Sequence, residues 1–340
     1  MIEAVDTIDA SAIARGIRAE ARRLGFDLAG IAPADPSKYA DHFRRWMAEG
    51  NAGTMQWLTK RTEERCDPRV YFPGTRSIIC VAMNYHVTLQ ERSDSEGSGR
   101  IARYALGDDY HEVIKGKMHR LADWLQKAAP GTRTRCGVDT APIMERELAA
   151  RAGIGWIGKN TCVIHPRVGS WILLGEVLTT LDLPSDEPIA DHCGSCSRCI
   201  DACPTGAIEK AYHLDARKCI SYLTIEHRGE LDERKQASIG DWLFGCDICQ
   251  DVCPFNRRAP EANEPAFQPR FADGTVDLME TLSWRPNEFN PRLSGSAMKR
   301  VKLPILQRNA RSILQRKSGA REIALHEWDT KSRARRVLSE

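Results

Sequence analysis

Two stretches decide the architecture of this chain: Cys193-Gly-Ser-Cys196-Ser-Arg-Cys199-Ile-Asp-Ala-Cys203-Pro204, and its shorter echo Cys246-Asp-Ile-Cys249-Gln-Asp-Val-Cys253-Pro254. Two-residue spacings wrap a short loop around one face of an iron–sulfur cube, and the cysteine before proline ligates the other cluster. With Cys219 as the eighth thiol, that rule assigns Cys193, Cys196, Cys199 and Cys253 to one [4Fe–4S] cluster. Cys203, Cys219, Cys246 and Cys249 remain for the second. Zinc also uses C-x2-C pairs, but it does not require triplets closed by proline twice in one chain. Cys66, Cys80, Cys136 and Cys162 lack partner spacing and read as small buried hydrophobes. The chemistry is therefore electron transfer.

Working outward, 340 residues with 42% hydrophobic content can bury a sizeable core across two or three domains. Twelve cysteines without an export signal point to a metal framework in the reducing cytoplasm. No stretch approaches the roughly 18 apolar residues of a membrane span, so no membrane partner is expected. The net charge of +3 is too small to imply a nucleic-acid binder by itself. Its distribution is uneven, however. Residues 285–340 hold fourteen Lys/Arg against five Asp/Glu, which is 14 − 5 = +9, leaving 3 − 9 = −6 for the rest. That asymmetry suits a phosphate backbone, although a solvated basic helix pair would look similar.

Helical spacing predicts a helix over 9–24, capped by Asp9 or Ser11 and stopped by Gly25, then a strand over 26–32. A helix over 37–48 follows, and Ser77–Asn84 reads as a buried strand. The polar, Gly/Ser-rich 90–100 reads as a surface loop. Further expectations are a helix over 109–128, a strand over 135–139, and a helix over 141–152 with Pro142 in its first turn. Two strands over 161–165 and 171–180 are joined by a turn at 166–169. Composition shifts mark linkers after Asp182 and over 259–269, and the pattern beyond Asp277 is helical and basic. The domains expected are 1–181, 182–258 and 259–340, the last a linker with a basic helical region.

Gly153-Ile-Gly155-Trp-Ile-Gly158 matches a dinucleotide-binding pattern but follows a helix instead of a strand, so that reading fails. Those glycines are better placed to cap the helix and to allow close backbone approach. Asp139 stands between a strand and a helix and has two readings. As a helix cap its pKa is depressed; as a general acid it needs a raised one, so the two oppose each other.

The segments VDTAPIMERELAARAGIGWIGKNTCVIHPRVGSWILLGEVLTTL (138–181), CGSCSRCIDACPTGAI and FGCDICQDVCPFN together resemble the epoxyqueuosine reductase family. GTMQWLTKR, DPRVYFPGTRSIICVAMNY and IARYALGDDYH extend the resemblance, which is dense over about 10–255. It implies an α+β fold with a nitroreductase-like cobalamin-binding domain, related to that of reductive dehalogenases, and a bacterial-ferredoxin-like two-cluster domain. The implied activity is the cobalamin-dependent reduction of epoxyqueuosine to queuosine at the wobble position of tRNA. An external low-potential donor loads the first cluster, and monomer is the default state.

Carried over by motif, Asp139 matches the family's proton donor and part of its cofactor pocket. Arg103, Tyr104, Lys159, Asn160 and Ser170 fall in segments that line the cobalamin pocket, while Ser221, Asp247 and Ile248 adjoin cluster ligands. For Lys159 and Arg103 a plain surface charge is the competing reading. Many relatives continue into a longer helical-repeat tail, so a smaller grip on the anticodon stem and steeply salt-dependent binding are expected here. The competing functions are a reductive dehalogenase, which shares the cofactors, and a ferredoxin-type protein without catalysis. The dehalogenase reading lacks its usual export signal and gives the basic region no purpose.

Overall fold

Asp9 opens α1 (Ala10–Arg23) by accepting the Ser11 and Ala12 N–H groups, and Arg22 and Arg23 complement its C-terminal dipole. The computed structural model describes residues 9–90 and 97–318. Gly25, at φ +88°, then turns the chain into β1 (Leu28–Pro33). Further along come α2 (Ala40–Ala48), α3 (Thr62–Cys66), α4 (Pro68–Tyr71) and β2 (Ser77–Asn84), whose every residue is buried. β3 (Ser98–Ile101), α5 (Tyr110–Ala128), β4 (Thr134–Gly137), α6 (Glu145–Arg151), β5 (Trp156–Ile157), β6 (Val163–Ile164) and β7 (Ile172–Thr179) complete this part of the chain.

The central sheet has the order β1-β2-β7-β4 and is antiparallel throughout. One face, with Ile79, Val81, Met83 and Val177, packs against α1 and α5. The other, with Ile78, Cys80, Leu174 and Leu178, packs against Leu148, Ala149 and Ala152 on and just past α6. Gly175 is required where α5 crosses the sheet: a Cβ there would lie 2.7 Å from Met118 Sδ and 2.9 Å from Ile114. This helix–sheet–helix layering is the expected α+β class.

In the cysteine-rich segment, β8 (Ile208–Lys210) and β9 (His213–Leu214) form a small ribbon. β10 (Trp242–Phe244) runs parallel to β3, and β11 (Thr275–Asp277) pairs with β3 from the other side. One three-stranded sheet thus draws a strand from each of the three segments read in the sequence, and a single core runs from Ala14 to Ile313. Residues 303–318 are helical, as are Leu278–Ser283 and Pro286–Arg292.

Three local expectations are corrected. Ser98–Ile101 is a strand: Gly99 lets Leu278 and Leu243 come within 2.7 and 2.9 Å of its missing Cβ, closeness that composition reads as looseness. The helix after Asp139 begins at Glu145, because Asp139 adopts φ +48° and 138–144 turn tightly before it. The strand at 163–164 pairs with β5 and not with β7, which belongs to the central sheet. The glycine-rich 153–158 segment supports this: Gly153 (φ +69°) ends the helix, and a Cβ on Gly155 would meet the Ile164 carbonyl at 2.4 Å.

Candidate active site

The cysteine loops fold back on each other. Cys193, Cys196, Cys199 and Cys253 line one cavity of about 60 Å³ together with Lys159, Asn160 and His192. Cys203, Cys219, Cys246 and Cys249 form the other group of mutual electrostatic neighbours. Cys162 lies beside this group, as an electrostatic neighbour of Cys219 and Cys249, with its thiol 4.0 Å from the Asn160 carbonyl.

Several residues read as cofactor contacts serve the loops. Lys159 Nζ donates to the carbonyls of Gly194 and Cys196, at 2.6 and 2.9 Å. Asn160 is buried, donates to the Cys249 carbonyl at 3.4 Å and accepts the Cys162 N–H at 3.2 Å. Ser170 is also buried, with its hydroxyl 2.9 Å from both Gln250 Oε1 and Asn256 Nδ2. These three tie the central domain to the cluster loops.

Arg103 and Asp247 meet where the second cluster loop touches the domain. The Arg103 N–H donates to Asp247 Oδ2 at 2.8 Å, and the guanidinium reaches Asp251 at 2.6 Å and lies over Trp171. Burial, opposed by Arg103, pushes the Asp247 carboxyl up to about 6. Gly245 (φ +70°) brings this loop so near Ala102 that a Cβ would sit 2.5 Å from that side chain. Ser221 is the second residue of the helix Ile220–Ile225 that Cys219 precedes, and Ile248 packs on the main core.

From there an aromatic ladder crosses to Asp139. Phe244 and Tyr104 are 6.1 Å apart, Tyr104 and Tyr110 6.0 Å, and Tyr110 stacks on His111 at 4.1 Å. Asp109 caps α5 through the His111 N–H, and His111 Nδ1 lies 2.7 Å from Asp109 Oδ1. His111 Nε2 lies 3.2 Å from Asp139 Oδ2. Asp139 is therefore no helix cap; its carboxylate is the open end of an Asp–His–Asp chain.

Burial works against the His111 imidazolium, but the hydrogen bonds to Asp109 and Asp139 outweigh it and raise its pKa to about 9. Burial raises Asp139 in turn, yet the His111 hydrogen bond and charge, with Tyr110, outweigh that and hold it below the usual carboxylate range. At neutral pH the proton of the pair rests on His111. Sequence reading missed His111 and Tyr110, although Asp109-Tyr-His at the start of a long helix was the available signal.

Two sets of four thiols spaced for iron–sulfur clusters, joined by an aromatic ladder to a proton-holding pair, are the working parts of a reductase, and by class the chain is an iron–sulfur oxidoreductase. A model described as "4Fe-4S double cluster binding domain" matches 192–256, and "Epoxyqueuosine reductase QueG" matches 65–140. The epoxyqueuosine reductase of Gloeobacter violaceus is 43% identical over 88% of this chain and 94% of its own length. That of Escherichia coli is 36% identical, covering 87% of this chain and 79% of its own. A crystal structure of epoxyqueuosine reductase with an epoxyqueuosine-modified tRNA-Tyr stem loop superposes with a TM-score of 0.84 at 32% identity, over 89% of this chain and 81% of that one. The chain belongs to the epoxyqueuosine reductase family.

Proposed function

We propose that this chain reduces epoxyqueuosine to queuosine in tRNA, using two [4Fe–4S] clusters and cobalamin. The observation that carries the reading is the Phe244–Tyr104–Tyr110 ladder, which joins the second cluster loop to the Asp139–His111 pair. The relative crystallised with a modified stem loop supports a tRNA substrate.

The residues beside the second cluster loop fit a large group with amide edges. Arg103 Nε and Asp247 Oδ1 are buried with no hydrogen-bond partner among the described residues, an unfilled donor beside an unfilled acceptor. Arg103, Tyr104, Ser221, Asp247 and Ile248 are the residues that would hold cobalamin. When bound, the clusters and cobalamin supply electrons at low potential to the epoxide carbon–oxygen bond.

Opening the epoxide and losing its oxygen as water consumes two electrons and two protons. Asp139 Oδ2 takes a proton from His111 Nε2 and passes it to the departing oxygen. Asp109 keeps the His111 ring oriented and favours its charged form. The Asp139 side chain is about half exposed, so it can face a substrate entering from solvent.

The tRNA-binding face includes an open cavity of about 410 Å³ lined by Arg228, Arg300, Lys302, Pro304 and Ile305. Not all of the basic region contributes. Arg308 is buried and holds the Leu223 and His227 carbonyls, while Arg292 and Arg316 are ion-paired with Glu280 and Asp241. Arg321, Lys331, Arg333, Arg335 and Arg336 lie outside the described residues. The reading takes the chain as a monomer in the reducing cytoplasm, fed by an external low-potential donor; among the described residues no helix is long and apolar enough to cross a membrane.

Incubation of the reconstituted protein with tRNA carrying epoxyqueuosine, followed by nucleoside mass spectrometry, tests the reading. Conversion to queuosine is expected; an unchanged epoxyqueuosine signal overturns it, and cobalt content near one per chain separates an enzyme from a simple ferredoxin.

A further inference from the structure

Behind Asp139 the sheet buries a carboxyl that neither the pocket nor the fold accounts for. Glu176, in the middle of β7, is 0% exposed, and neither of its side-chain oxygens has a hydrogen-bond partner among the described residues. Its register partners are Cys80 on β2 and Gly137 on β4. By strand alternation it shares the face of Leu174 and Leu178, which packs against α6. Glu145 opens α6, and its Oε2 accepts the Asp139 N–H at 3.2 Å. Glu145 thus touches the Asp139 backbone, and Glu176 lies on the sheet face against which its helix packs, so three carboxyls share one neighbourhood.

A strand filler at this position needs no charge, and a Leu would suit the apolar face. An unpaired carboxylate there would cost several kcal/mol, so Glu176 is held as the neutral acid by burial and then by Glu145 and Asp139. Burial first, and the Asp139 charge second, lift Glu145 to about 7. The groups around the pair are Asp139, Tyr110 and His111 toward the pocket, Arg146 and Arg151 from α6, Arg65 from α3, and the Cys80 thiol on β2. Arg146 and Arg151 spend their donors on the carbonyls of Thr161, Asp35 and Pro33.

We propose that Glu176 and Glu145 are a proton reserve for the reductive reaction, returning one proton to the Asp139–His111 pair between the two deliveries that each turnover needs and taking one back from solvent through the half-exposed Asp139 carboxylate before the next. Glu145 acts through Asp139, and Glu176 acts through Glu145; both are positioning residues rather than catalytic ones. The inference rests on the proposed epoxyqueuosine reduction and deepens it.

Glu145→Gln and Glu176→Gln keep shape and polarity but cannot carry the proton. In the cluster- and cobalamin-loaded enzyme, each is expected to lower kcat at least tenfold with KM nearly unchanged, and to alter the pH profile near neutrality. Infrared spectroscopy supplies a readout independent of turnover: the wild type should show a protonated carboxylic C=O band at neutral pH that Glu176→Gln removes. Wild-type kcat and pH profile in both Gln variants, or no such band in the wild type, overturns the inference. If Glu176→Gln loses iron, Glu145→Gln supplies the kinetic comparison, and absence of a protonated carboxyl band in the wild type still overturns the inference. Wild-type enzyme that converts epoxyqueuosine while both Gln variants match it sinks only the reserve; wild-type enzyme without conversion sinks the function itself.

Discussion

Asp139 Oδ2 sits 3.2 Å from His111 Nε2, and the far side of the same imidazole is held 2.7 Å from Asp109. The pocket thus stores its proton on a histidine whose pKa is raised to about 9, beside a carboxylate held low. Because the folded pKa of His111 lies above its ordinary 6.5, the charged form is present through neutral pH and disappears as pH rises through about 9. Turnover should fall along that alkaline limb. His111→Gln should cut kcat by about 10²-fold and abolish the limb, as read from a pH–rate profile.

Cys253 lies in the second cysteine motif, yet it shares a cavity with Cys193, Cys196 and Cys199. Cys253→Ala should therefore damage the first cluster and spare the second. Iron analysis and electron paramagnetic resonance should show about half the reducible cluster signal. Loss of the signal belonging to Cys203, Cys219, Cys246 and Cys249 instead would reverse the assignment.

Gly175 faces α5 where that helix presents Ile114 and Met118, one turn and more beyond the Tyr110 and His111 of its first turn. Gly175→Val should push α5 off the sheet and destabilise the protein by about 1–3 kcal/mol, seen as a lower denaturant midpoint. Activity should fall further than stability explains, because the His111–Asp139 hydrogen bond opens.

In the cavity formed by Arg228, Arg300 and Lys302, the basic region contributes Arg300 and Lys302, and Arg228 and Arg300 share Glu226. Reversing Arg228 and Lys302 to Glu should weaken stem-loop binding, and the slope of log affinity against log salt should become shallower by about 1 for each phosphate no longer neutralised. Cluster content should not change.

The sequence was most legible where chemistry is local. Asp9 announces a helix because a cap needs one side chain and the next few N–H groups, and the strand over Ser77–Asn84 is a continuous apolar run. The cysteine groups could be read because ligand spacing is set by the size of the cluster. What failed depends on distant partners. Ser98–Ile101 is a strand only because β10 and β11 flank it, and β6 chose β5 over its sequence neighbour. The bonds of Lys159 and Ser170 to the cysteine segment likewise became visible only in the fold, since their partners lie tens of residues away. His111 and Glu176 became visible when the fold set them behind Asp139.

The most direct measurement is nucleoside mass spectrometry of tRNA carrying epoxyqueuosine after incubation with reduced, fully loaded wild-type protein and with Asp139→Asn. The account predicts queuosine with the wild type, and at most about one part in 10³ of that rate with the variant, which should keep its iron and cobalt. Wild-type turnover by Asp139→Asn would contradict the proton-donating pair at the centre of the account.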